Sequence, residues 1–502
     1  MKTKLKLATL GLLLGLAAVG WPEGEVPTVR IGILERQSKV QITCASTWEI
    51  GPVGEGPAVI QAQPNQTLTL RLALAAPAAP ETPPAAAYLG SQPAQGGEGE
   101  IQNTPETPAT PPAPTPAPPA PPVPTPPPPL PALPVPLTPP QKQLEIVDDT
   151  GKVLATIVPP VRIHSTGDGL LKVAGTGQGH WDKIDLREFR GEIRLVWDSH
   201  GLLSVINLVD LESYLRGVVA SEMLSSYPLE ALKAQSICAR SEALATLKRH
   251  ERDGFDLCST VHCQVYGGKT SETANTDQAV QGTRGQVIMY QGKIAHTVYS
   301  AVCGGHTEDN ENVWGGPPVA YLRGHPDGDP AKLTAYHFPL QGDELRRYVT
   351  QAPLVNCYIP KWTRLDVYRW VRVIERAKLE ASLSEVDKVG TLMELNPLER
   401  GSSGRITRLE VKGTENTFTL SPELTIRRAL GGSSNPLRSS CFVVDSYSDS
   451  QGVPVVFIFW GAGWGHGSGM CQVGAVGLAD QGKTAPDILA FYFPSTTLEA
   501  RY

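Results

Sequence analysis

The stretch NLVDLESYLRGVVASEM, from Asn207 to Met223, determines how the central part of this 502-residue chain folds. Asp210 is placed to begin a helix, because a side-chain oxygen there accepts a hydrogen bond from the free N–H groups of the first turn. The apolar residues that follow recur at helical spacing, which predicts one face packed against a core: Leu211, Leu215, Val218 and Val219. Glu222 is therefore expected at or near the C-terminal end of this helix.

A second helix is predicted directly after the first. Pro228 suits its first turn, where the missing N–H costs nothing, and Gly254 is placed to end it. Its apolar face is expected to consist of Leu229, Leu232, Ala239, Ala243 and Leu247. Helices therefore dominate the middle of the chain.

Strand patterns lie on both sides of these helices. Residues 27–75 contain VRIGIL, KVQITC and TLTLRLAL, and residues 141–206 contain QLEIVDD, KVLATIV, LLKVAG, EIRLVW and LLSVINLV, which alternate or run apolar with β-branched residues. Within 207–502, QVIMY, IAHTVYSAV, ITRLEVKG, FTLSPE and VPVVFIFWG predict further strands, whereas 330–400 indicates a largely helical elaboration. The fold class is predicted as α+β, with a β-rich portion followed by a mixed α/β region.

The segment 76–140 has an unusual composition. It holds 25 of the 46 prolines, with Ala and Thr between them. Such a run cannot build a packed core, so we expect a disordered or extended polyproline-like insertion. It is either a stalk that bridges a gap or a tolerated surface insertion. Because strand patterns precede and follow it, we expect it to interrupt one β-rich region.

The N-terminus indicates export. Three lysines within the first six residues precede an uncharged apolar run at 7–19, and small residues at 18–20 offer a cleavage site. This is the pattern of a secretory signal peptide over residues 1–20. The alternative is an uncleaved membrane anchor, although the run is shorter than the roughly 20 residues that span a bilayer. We expect an exported protein of the periplasm or cell envelope.

The overall charge excludes one class of partner. The net charge is −6 and the isoelectric point is about 6.0. A nucleic-acid-binding domain usually has a basic face and a high isoelectric point. We therefore expect no nucleic-acid partner.

Two blocks of sequence resemble the SpoIID/LytB family. The first runs from Asn207 through PLEALKAQSICARSEAL and CSTVHCQVYGG to YSAVCGGHTEDNENVWGG, and the second is GWGHGSGMCQVGAVGLADQG at 463–482. The family includes peptidoglycan lytic transglycosylases of the stage II sporulation protein D type and amidase enhancers. The resemblance implies a cleft built from the two blocks. It also implies either cleavage of peptidoglycan glycan strands or non-catalytic binding that enhances a cell-wall amidase.

The resemblance places Glu222 at the position of the family's catalytic acid. The negative end of the helix dipole and partial burial both raise the pKa of a carboxyl group there, and a general acid must hold its proton near neutral pH. In a lytic transglycosylase this acid protonates the glycosidic oxygen. It then takes a proton from the muramyl 6-hydroxyl, which attacks the anomeric carbon and leaves a 1,6-anhydro sugar. The alternative interpretation from the residues alone is a solvated glutamate at a helix end.

The resemblance also suggests substrate-binding positions in the cleft. They are Gln235, Arg240, Gln264, Tyr266, Ser300, Gly304, Gly305, Thr307 and His466. An arginine can hold a carboxylate with two hydrogen bonds, or it can form an ordinary ion pair. Paired glycines let the backbone approach a ligand, or they form a simple turn. A histidine can assist catalysis, but here a role in ordering its glycine-rich loop is favoured.

Four residues depart from the family pattern, in three places. Leu224 stands where proline is usual, Ser241 and Glu242 replace a Thr-Tyr pair, and Cys471 replaces serine. The first two departures favour the enhancer alternative. A zinc-dependent peptidase is a second alternative, although no H-E-x-x-H is present. A purely structural envelope protein is a third.

The eight cysteines allow both metal binding and disulfides in an exported chain. Cys258, His262 and Cys263 lie within six residues, and thiolates and imidazoles are the usual zinc ligands. Some family members bind zinc here through two Cys and two His, which makes His250 the candidate fourth ligand of one structural Zn²⁺. The alternative is a disulfide that includes Cys263. We also considered a Cys303–Cys471 disulfide, which would join the two blocks.

Overall fold

The computed structural model describes residues 25–54, 56–73, 142–175 and 186–502. The predicted signal peptide and the whole proline-rich segment lie outside the described residues, so both stay predictions.

The N-terminal half of the described chain is mainly β-structure. Its strands are β1 Thr28–Gln37, β2 Lys39–Cys44, β3 Trp48–Pro52, β4 Ile60–Ala62, β5 Thr67–Leu72, β6 Leu144–Val147, β7 Val153–Ile157, β8 Val161–Ser165, β9 Leu171–Gly175, β10 Arg187–Phe189, β11 Glu192–Trp197 and β12 Leu203–Asp210.

Shorter strands are distributed among helices in the remainder. They are β13 Leu257–Cys258, β14 Gln286–Tyr290, β15 Lys293–Ile294, β16 Tyr299–Ser300, β17 Arg369–Glu375, β18 Leu392–Arg400, β19 Ile406–Gly413, β20 Thr417–Leu420, β21 Phe442–Ser448, β22 Pro454–Ala462, β23 Met470–Cys471 and β24 Thr497–Ala500.

The helices all follow β12 within the described residues. They are α1 Leu211–Glu222, α2 Leu229–Ala245, α3 Ala274–Gly282, α4 Asn310–Trp314, α5 Gly342–Thr350, α6 Leu365–Tyr368, α7 Arg376–Leu383, α8 Glu423–Gly431, α9 Gln472–Asp480 and α10 Ala485–Tyr492, with 3₁₀ turns at Glu251–Asp253, Gly268–Ser271 and Pro330–Lys332. In the described part of the chain, every helix is too short or too polar to span a membrane. The fold is α+β, as predicted.

Two sheets form the β-rich portion. One has the strand order β13-β1-β12-β11-β8-β3-β4, and the other has the order β10-β9-β2-β5-β6-β7. Strands β5 and β6 lie on opposite sides of the proline-rich segment, yet they pair antiparallel with Thr69 opposite Val147. Alternating side chains from both sheets share one core, which includes Ile31, Ile42, Trp48, Leu70 and Leu195. The strands on either side of the insertion therefore belong to a single β-structure.

Helix α1 begins and packs as its sequence indicates. The Asp210 carboxylate accepts a hydrogen bond of 2.9 Å from the Ser213 N–H, and the predicted apolar face is fully buried: Leu211, Leu215, Val218 and Val219. Helix α2 is shorter than predicted. It ends at Ala245, because the Thr246 hydroxyl turns back to the Glu242 carbonyl and Lys248 adopts a positive φ of 68°. Gly254 instead ends the following 3₁₀ turn.

The segment 330–400 is less helical than predicted. It contains α5, α6 and α7, but β17 and β18 are equally regular. Strand β17 has the sequence RWVRVIE, whose alternating β-branched residues pair along β22. Sheets β17-β22-β21 and β18-β19-β20 enclose a second core with α7 and α8, which includes Trp370, Leu379, Leu409, Ile426 and Phe459. The strand IAHTVYSAV is also interrupted, since only its ends pair, as β15 and β16.

A short parallel pair joins the two blocks of sequence. Strand β16 lies beside β23, with Tyr299 opposite Met470 and Ser300 opposite Cys471. Helix α9 begins directly after this pair and packs on α2. The end of α1, the start of α9 and the segment after β13 consequently meet in one place.

Candidate functional site

Glu222 is the last residue of α1, and its side chain is partly exposed. Its Oε1 accepts a hydrogen bond of 2.9 Å from the backbone N–H of Val265. Its Oε2 lies 3.4 Å from the amide nitrogen of Gln472, the first residue of α9. Three separate segments of the chain thus hold one carboxyl group, and Oε2 is the oxygen with the weaker contact.

The surroundings of Glu222 favour its protonated form. Burial raises the pKa of the carboxyl group. The hydrogen bonds from Val265 and Gln472, and the nearby Tyr299 hydroxyl, lower it by less, so that the pKa is raised overall. Because the Val265 N–H occupies Oε1, the proton is best held on Oε2. A raised pKa and one weakly bonded oxygen are features that a general acid requires.

Polar side chains with unused hydrogen-bonding capacity surround this carboxyl group. The Gln235 Oε1 accepts from the Gln472 amide at 3.4 Å, but the Gln235 amide nitrogen has no partner within the described residues. The Tyr299 hydroxyl is close enough to lower the pKa of Glu222, yet it completes no well-formed hydrogen bond with the described residues. Both atoms are buried, and buried polar groups are rarely left without partners.

Arg240 does not lie at this site, contrary to the prediction from the resemblance. Its guanidinium is fully buried and makes two hydrogen bonds to Glu212, of 2.7 and 2.9 Å. It also donates to the carbonyls of Gln286 and Val280. Because every donor direction is used inside the core, Arg240 joins α1, α2, α3 and β14 and has no access to substrate.

Gln264 and Tyr266 are also buried in the core. The Gln264 amide accepts from the Tyr214 hydroxyl and donates to the Ala239 carbonyl. The Tyr266 hydroxyl donates to Asn207 at 2.8 Å. Both side chains are fully paired, and their effect on Glu222 is indirect, because they fix the backbone that presents the Val265 N–H.

The YSAVCGGHTE stretch supports the site through contacts within the protein and does not line it. The Ser300 hydroxyl accepts from the Gly467 N–H, and the Thr307 hydroxyl pairs with the backbone of His325. Gly304 and Gly305 have positive φ values of 83° and 108°. A Cβ atom on Gly305 would lie 2.2 Å from the Tyr348 hydroxyl, so this glycine allows packing within the protein and not the approach of a ligand.

His466 orders its glycine-rich loop. Its Nε2 donates to the Tyr299 carbonyl at 2.8 Å, and its Nδ1 accepts from the Ser468 N–H at 3.1 Å. Burial, followed by the nearby Arg405, lowers the pKa of His466 to about 3. A neutral imidazole with both nitrogens occupied cannot exchange protons with substrate, which agrees with the favoured interpretation.

The four predicted metal ligands come together. The ligand atoms of His250, Cys258, His262 and Cys263 all lie within 4.8 Å of one another. His262 Nδ1 is 3.7 Å from each sulfur and 3.2 Å from His250 Nε2. The other nitrogen of His250 contacts the Asp253 carboxylate at 3.2 Å, as an outer carboxylate does in many zinc sites. The donor set and its spacing fit a four-ligand metal site.

The predicted Cys303–Cys471 disulfide is absent from the structure, in which all eight cysteines are free. The two residues are neighbours nonetheless, since the Cys303 N–H donates to the Cys471 sulfur at 3.1 Å. The structure therefore places these thiols together without a covalent bond.

Two residues of the site are not among those predicted from the sequence. Gln472 and Tyr299 both lie inside the two quoted blocks, next to positions that were named. Each is a polar residue next to a position that was named, but the pairing of β16 with β23 that brings them together is visible only in the structure. Two surface pockets of about 250 and 380 Å³ lie elsewhere, one beside β18 and β21 and one beside β14 and β15, and neither is lined by Glu222. Hydrogen-bond geometry, rather than concavity, identifies the site.

Comparisons with known proteins concern the family of the chain. Residues 199–290 match the family model SpoIID, described as stage II sporulation protein, and residues 308–469 match DUF8618, a domain of unknown function. The chain is 31% identical over 295 residues to an uncharacterized protein of Brachyspira hyodysenteriae, which covers 58% of this chain and 66% of that protein. It is 28% identical over 293 residues to the amidase enhancer of Bacillus subtilis, or 57% of this chain and 40% of that protein.

A third relative is the stage II sporulation protein D of Bacillus amyloliquefaciens. It is 27% identical over 300 residues, which cover 57% of this chain and 73% of that protein. The chain thus spans less than two thirds of the Brachyspira protein and of the amidase enhancer.

Proposed function

Because the chain belongs to the SpoIID/LytB family, we propose that it cleaves peptidoglycan glycan strands by lytic transglycosylase chemistry with Glu222 as acid and base. A role at the cell wall is supported by the family and by the relatives' names. The proposed lytic transglycosylase reaction depends on a single observation, the Glu222 carboxyl group with its raised pKa and one weakly bonded oxygen.

The proposed reaction needs one carboxyl group and no water. The proton on Glu222 Oε2 passes to the glycosidic oxygen as the bond to the anomeric carbon breaks. The resulting carboxylate then accepts the proton of the muramyl 6-hydroxyl as that oxygen bonds to the anomeric carbon. The proton lost in the first step is regained in the second, so the enzyme returns to its initial state.

The residues around Glu222 suit this sequence of steps. The Val265 N–H and the Gln472 amide stabilise the carboxylate between the two steps. Hydrolytic glycosidases usually place a second carboxylate within roughly 5–10 Å of the acid. Among the described residues, no carboxylate shares a hydrogen bond with Glu222 or contributes to its pKa shift. The contacts of Glu222 therefore supply one carboxyl group, which is what the proposed mechanism needs.

The alternative function is non-catalytic enhancement of a cell-wall amidase. One relative is named amidase enhancer, and Leu224, two residues after the acid, is 62% exposed where the family has proline. An exposed apolar residue beside the site suits a partner contact. In this alternative the same surface would bind glycan strands without cleaving them.

We further propose that the His250, Cys258, His262 and Cys263 cluster holds one structural Zn²⁺. Four protein ligands close a tetrahedral zinc site and leave no position for a reacting water. When bound, zinc would supply cross-linking between the start of the 3₁₀ turn that follows α2 and the segment that leads to Val265. Export to the periplasm or cell envelope is likewise a proposal, which rests on the N-terminal pattern.

The experiment uses purified glycan strands, with and without stem peptides, and mass spectrometry of the products. The wild-type protein is compared with Glu222→Gln and with the control Glu399→Gln, a surface glutamate that is 55% exposed. Anhydro-muramyl products from wild type and control only would support the proposal. Reducing-end products would indicate hydrolysis instead. No products, combined with faster turnover by an added amidase, would favour the enhancer function.

A further inference from the structure

A second cluster of potential ligands lies inside the protein, separate from the His250 cluster. The ligand atoms of Cys303, Asp327, Cys357 and Cys471 all lie within 4.8 Å of one another. All four residues are buried, with at most 2% of the surface of any one exposed. They come from four different segments: the loop after β16, the loops on either side of α5, and β23. We propose that these four residues form a second, structural zinc site.

The sulfur–sulfur separation matches that of a tetrahedral thiolate site. The sulfurs of Cys303 and Cys357 are 3.7 Å apart, and zinc–sulfur bonds of about 2.3 Å at tetrahedral angles imply a separation of about 3.8 Å. The Cys303 sulfur is 3.1 Å from Asp327 Oδ2, whereas a zinc–oxygen bond of about 2.1 Å implies about 3.6 Å. A central ion therefore needs a small outward movement of the carboxylate.

The neighbours of the cluster are those expected around a metal's ligands. The N–H groups of Cys303 and Gly474 both donate to the Cys471 sulfur. The other oxygen of Asp327 accepts from the Tyr492 hydroxyl at 2.6 Å, which orients the carboxylate so that Oδ2 faces the sulfurs. Such outer contacts fix the direction of ligand atoms in metal sites.

The cluster has no positively charged partner among the described residues, which favours a bound cation. Three thiols and a carboxylate are enclosed together, and in the described residues none of their hydrogen bonds or ion pairs involves a lysine or an arginine. Burial of an anion without a positive partner is costly. A divalent ion would offset half of the four negative charges that the ionised ligands carry, and soft thiolates with one carboxylate select Zn²⁺ over Mg²⁺ or Ca²⁺.

A disulfide explains the cluster less well. A sulfur–sulfur bond is about 2.05 Å long, so the 3.7 Å separation would have to shorten substantially. Three cysteines also cannot all pair with one another, and a disulfide gives no role to Asp327. The metal accounts for all four groups.

The site would connect directly to the acid Glu222. Cys471 caps α9, and its chain neighbour Gln472 contacts Glu222 Oε2. The metal would therefore anchor the start of α9 relative to the loops that hold Asp327 and Cys357. This inference does not depend on the proposed reaction, since an enhancer would need the same scaffold.

The test measures zinc bound per chain after reduction, loading with Zn²⁺ and gel filtration. Cys357→Ser should hold one zinc ion fewer than wild type, whereas Cys441→Ser, which removes a cysteine of equal burial outside both clusters, should hold the same number. Cys258→Ser reports on the first cluster separately. An unchanged zinc content in Cys357→Ser would overturn the proposal.

Two further measurements keep the test decisive if Cys357→Ser does not fold. Asp327→Asn keeps the shape of the side chain but weakens a ligand, so its zinc should pass to a chelator at least tenfold faster than that of wild type. With the first cluster removed by Cys258→Ser and Cys263→Ser, bound Co²⁺ should show thiolate charge-transfer absorption. Absence of this absorption, or a disulfide between any two of the three cysteines in the protein isolated from its own cells, would overturn the proposal.

Discussion

The amide nitrogen of Gln472 lies 3.4 Å from Oε2 of Glu222, although 250 positions separate the two residues in the chain. The contact exists because β23 pairs with β16. This pairing places the first residue of α9 beside the last residue of α1. It joins the two blocks of sequence at the one carboxyl group to which the proposed chemistry is assigned.

Gln472→Ala should shift the pH dependence of glycan cleavage. The Gln472 amide lowers the pKa of Glu222, so its removal should raise that pKa further. Because the general acid is active only when protonated, activity falls as pH rises through its pKa, and this fall should move to higher pH in the variant. A pH–rate profile checks the direction. Gln481→Ala, near the other end of the same helix, serves as the control, and equal profiles for all three proteins would contradict the assignment.

Glu222→Gln should make the folded protein more stable near neutral pH. The pKa of Glu222 is raised in the folded state, so wild-type stability decreases as pH rises from the unfolded pKa, about 4.3, through the higher folded pKa. A glutamine does not titrate and escapes this loss. Thermal melts should therefore show a higher Tm for the variant at pH 7 and converging Tm values below pH 4. A lower Tm for the variant at pH 7 would indicate that the carboxylate stabilises the fold.

Arg240→Ala should unfold the protein rather than weaken substrate binding. Removing one partner of a buried ion pair costs about 3–5 kcal/mol, and Arg240 is fully buried against Glu212. The control Arg408→Ala breaks a pair whose side chains are about half exposed, and such pairs contribute about 1 kcal/mol or less. Urea titrations of both variants measure the difference. A folded Arg240→Ala protein with a raised KM would restore the substrate-binding role that the resemblance implied.

His262→Ala should remove zinc from the first cluster and affect Glu222 indirectly. Cys263 lies two residues before Val265, whose N–H lowers the pKa of Glu222. Loss of the metal should loosen this segment, reduce the rate and move the alkaline fall in activity to higher pH. The control His200→Ala changes a histidine that is 58% exposed and distant from the cluster in sequence. Activity that vanished in direct proportion to bound zinc would instead indicate a catalytic metal.

Local patterns in the sequence predicted local structure well. The Asp210 cap and the apolar face of α1 depend on neighbouring residues only, and both are present in the structure. The β-structure that continues across the proline-rich segment also follows from strand patterns on each side. Within 330–400 the same approach was wrong, because β17 is stabilised by pairing with β22, about 85 residues further along. The β-branched residues of β17 are compatible with a strand, but nothing in its sequence identifies β22 as its partner.

Side-chain roles at the site were harder to predict than the elements. The resemblance identified Glu222 and Gln235, which the structure brings together through Gln472. It could not distinguish Arg240 from a residue that faces substrate, because burial depends on the packing of α1, α2 and α3 around it. The four-residue cluster around Cys303 was also beyond sequence reasoning, since its ligands are spread over 169 positions from 303 to 471.

The most direct test of the central claim is mass spectrometry of glycan strands treated with the wild-type protein and with Glu222→Gln. If Glu222 is the acid of a lytic transglycosylase, the wild-type protein produces 1,6-anhydro-muramyl ends and Glu222→Gln produces none. The control Glu399→Gln behaves as wild type. Anhydro ends produced equally by Glu222→Gln would contradict the assignment of the acid. Intact strands with a folded, glycan-binding wild-type protein would contradict the enzymatic function itself.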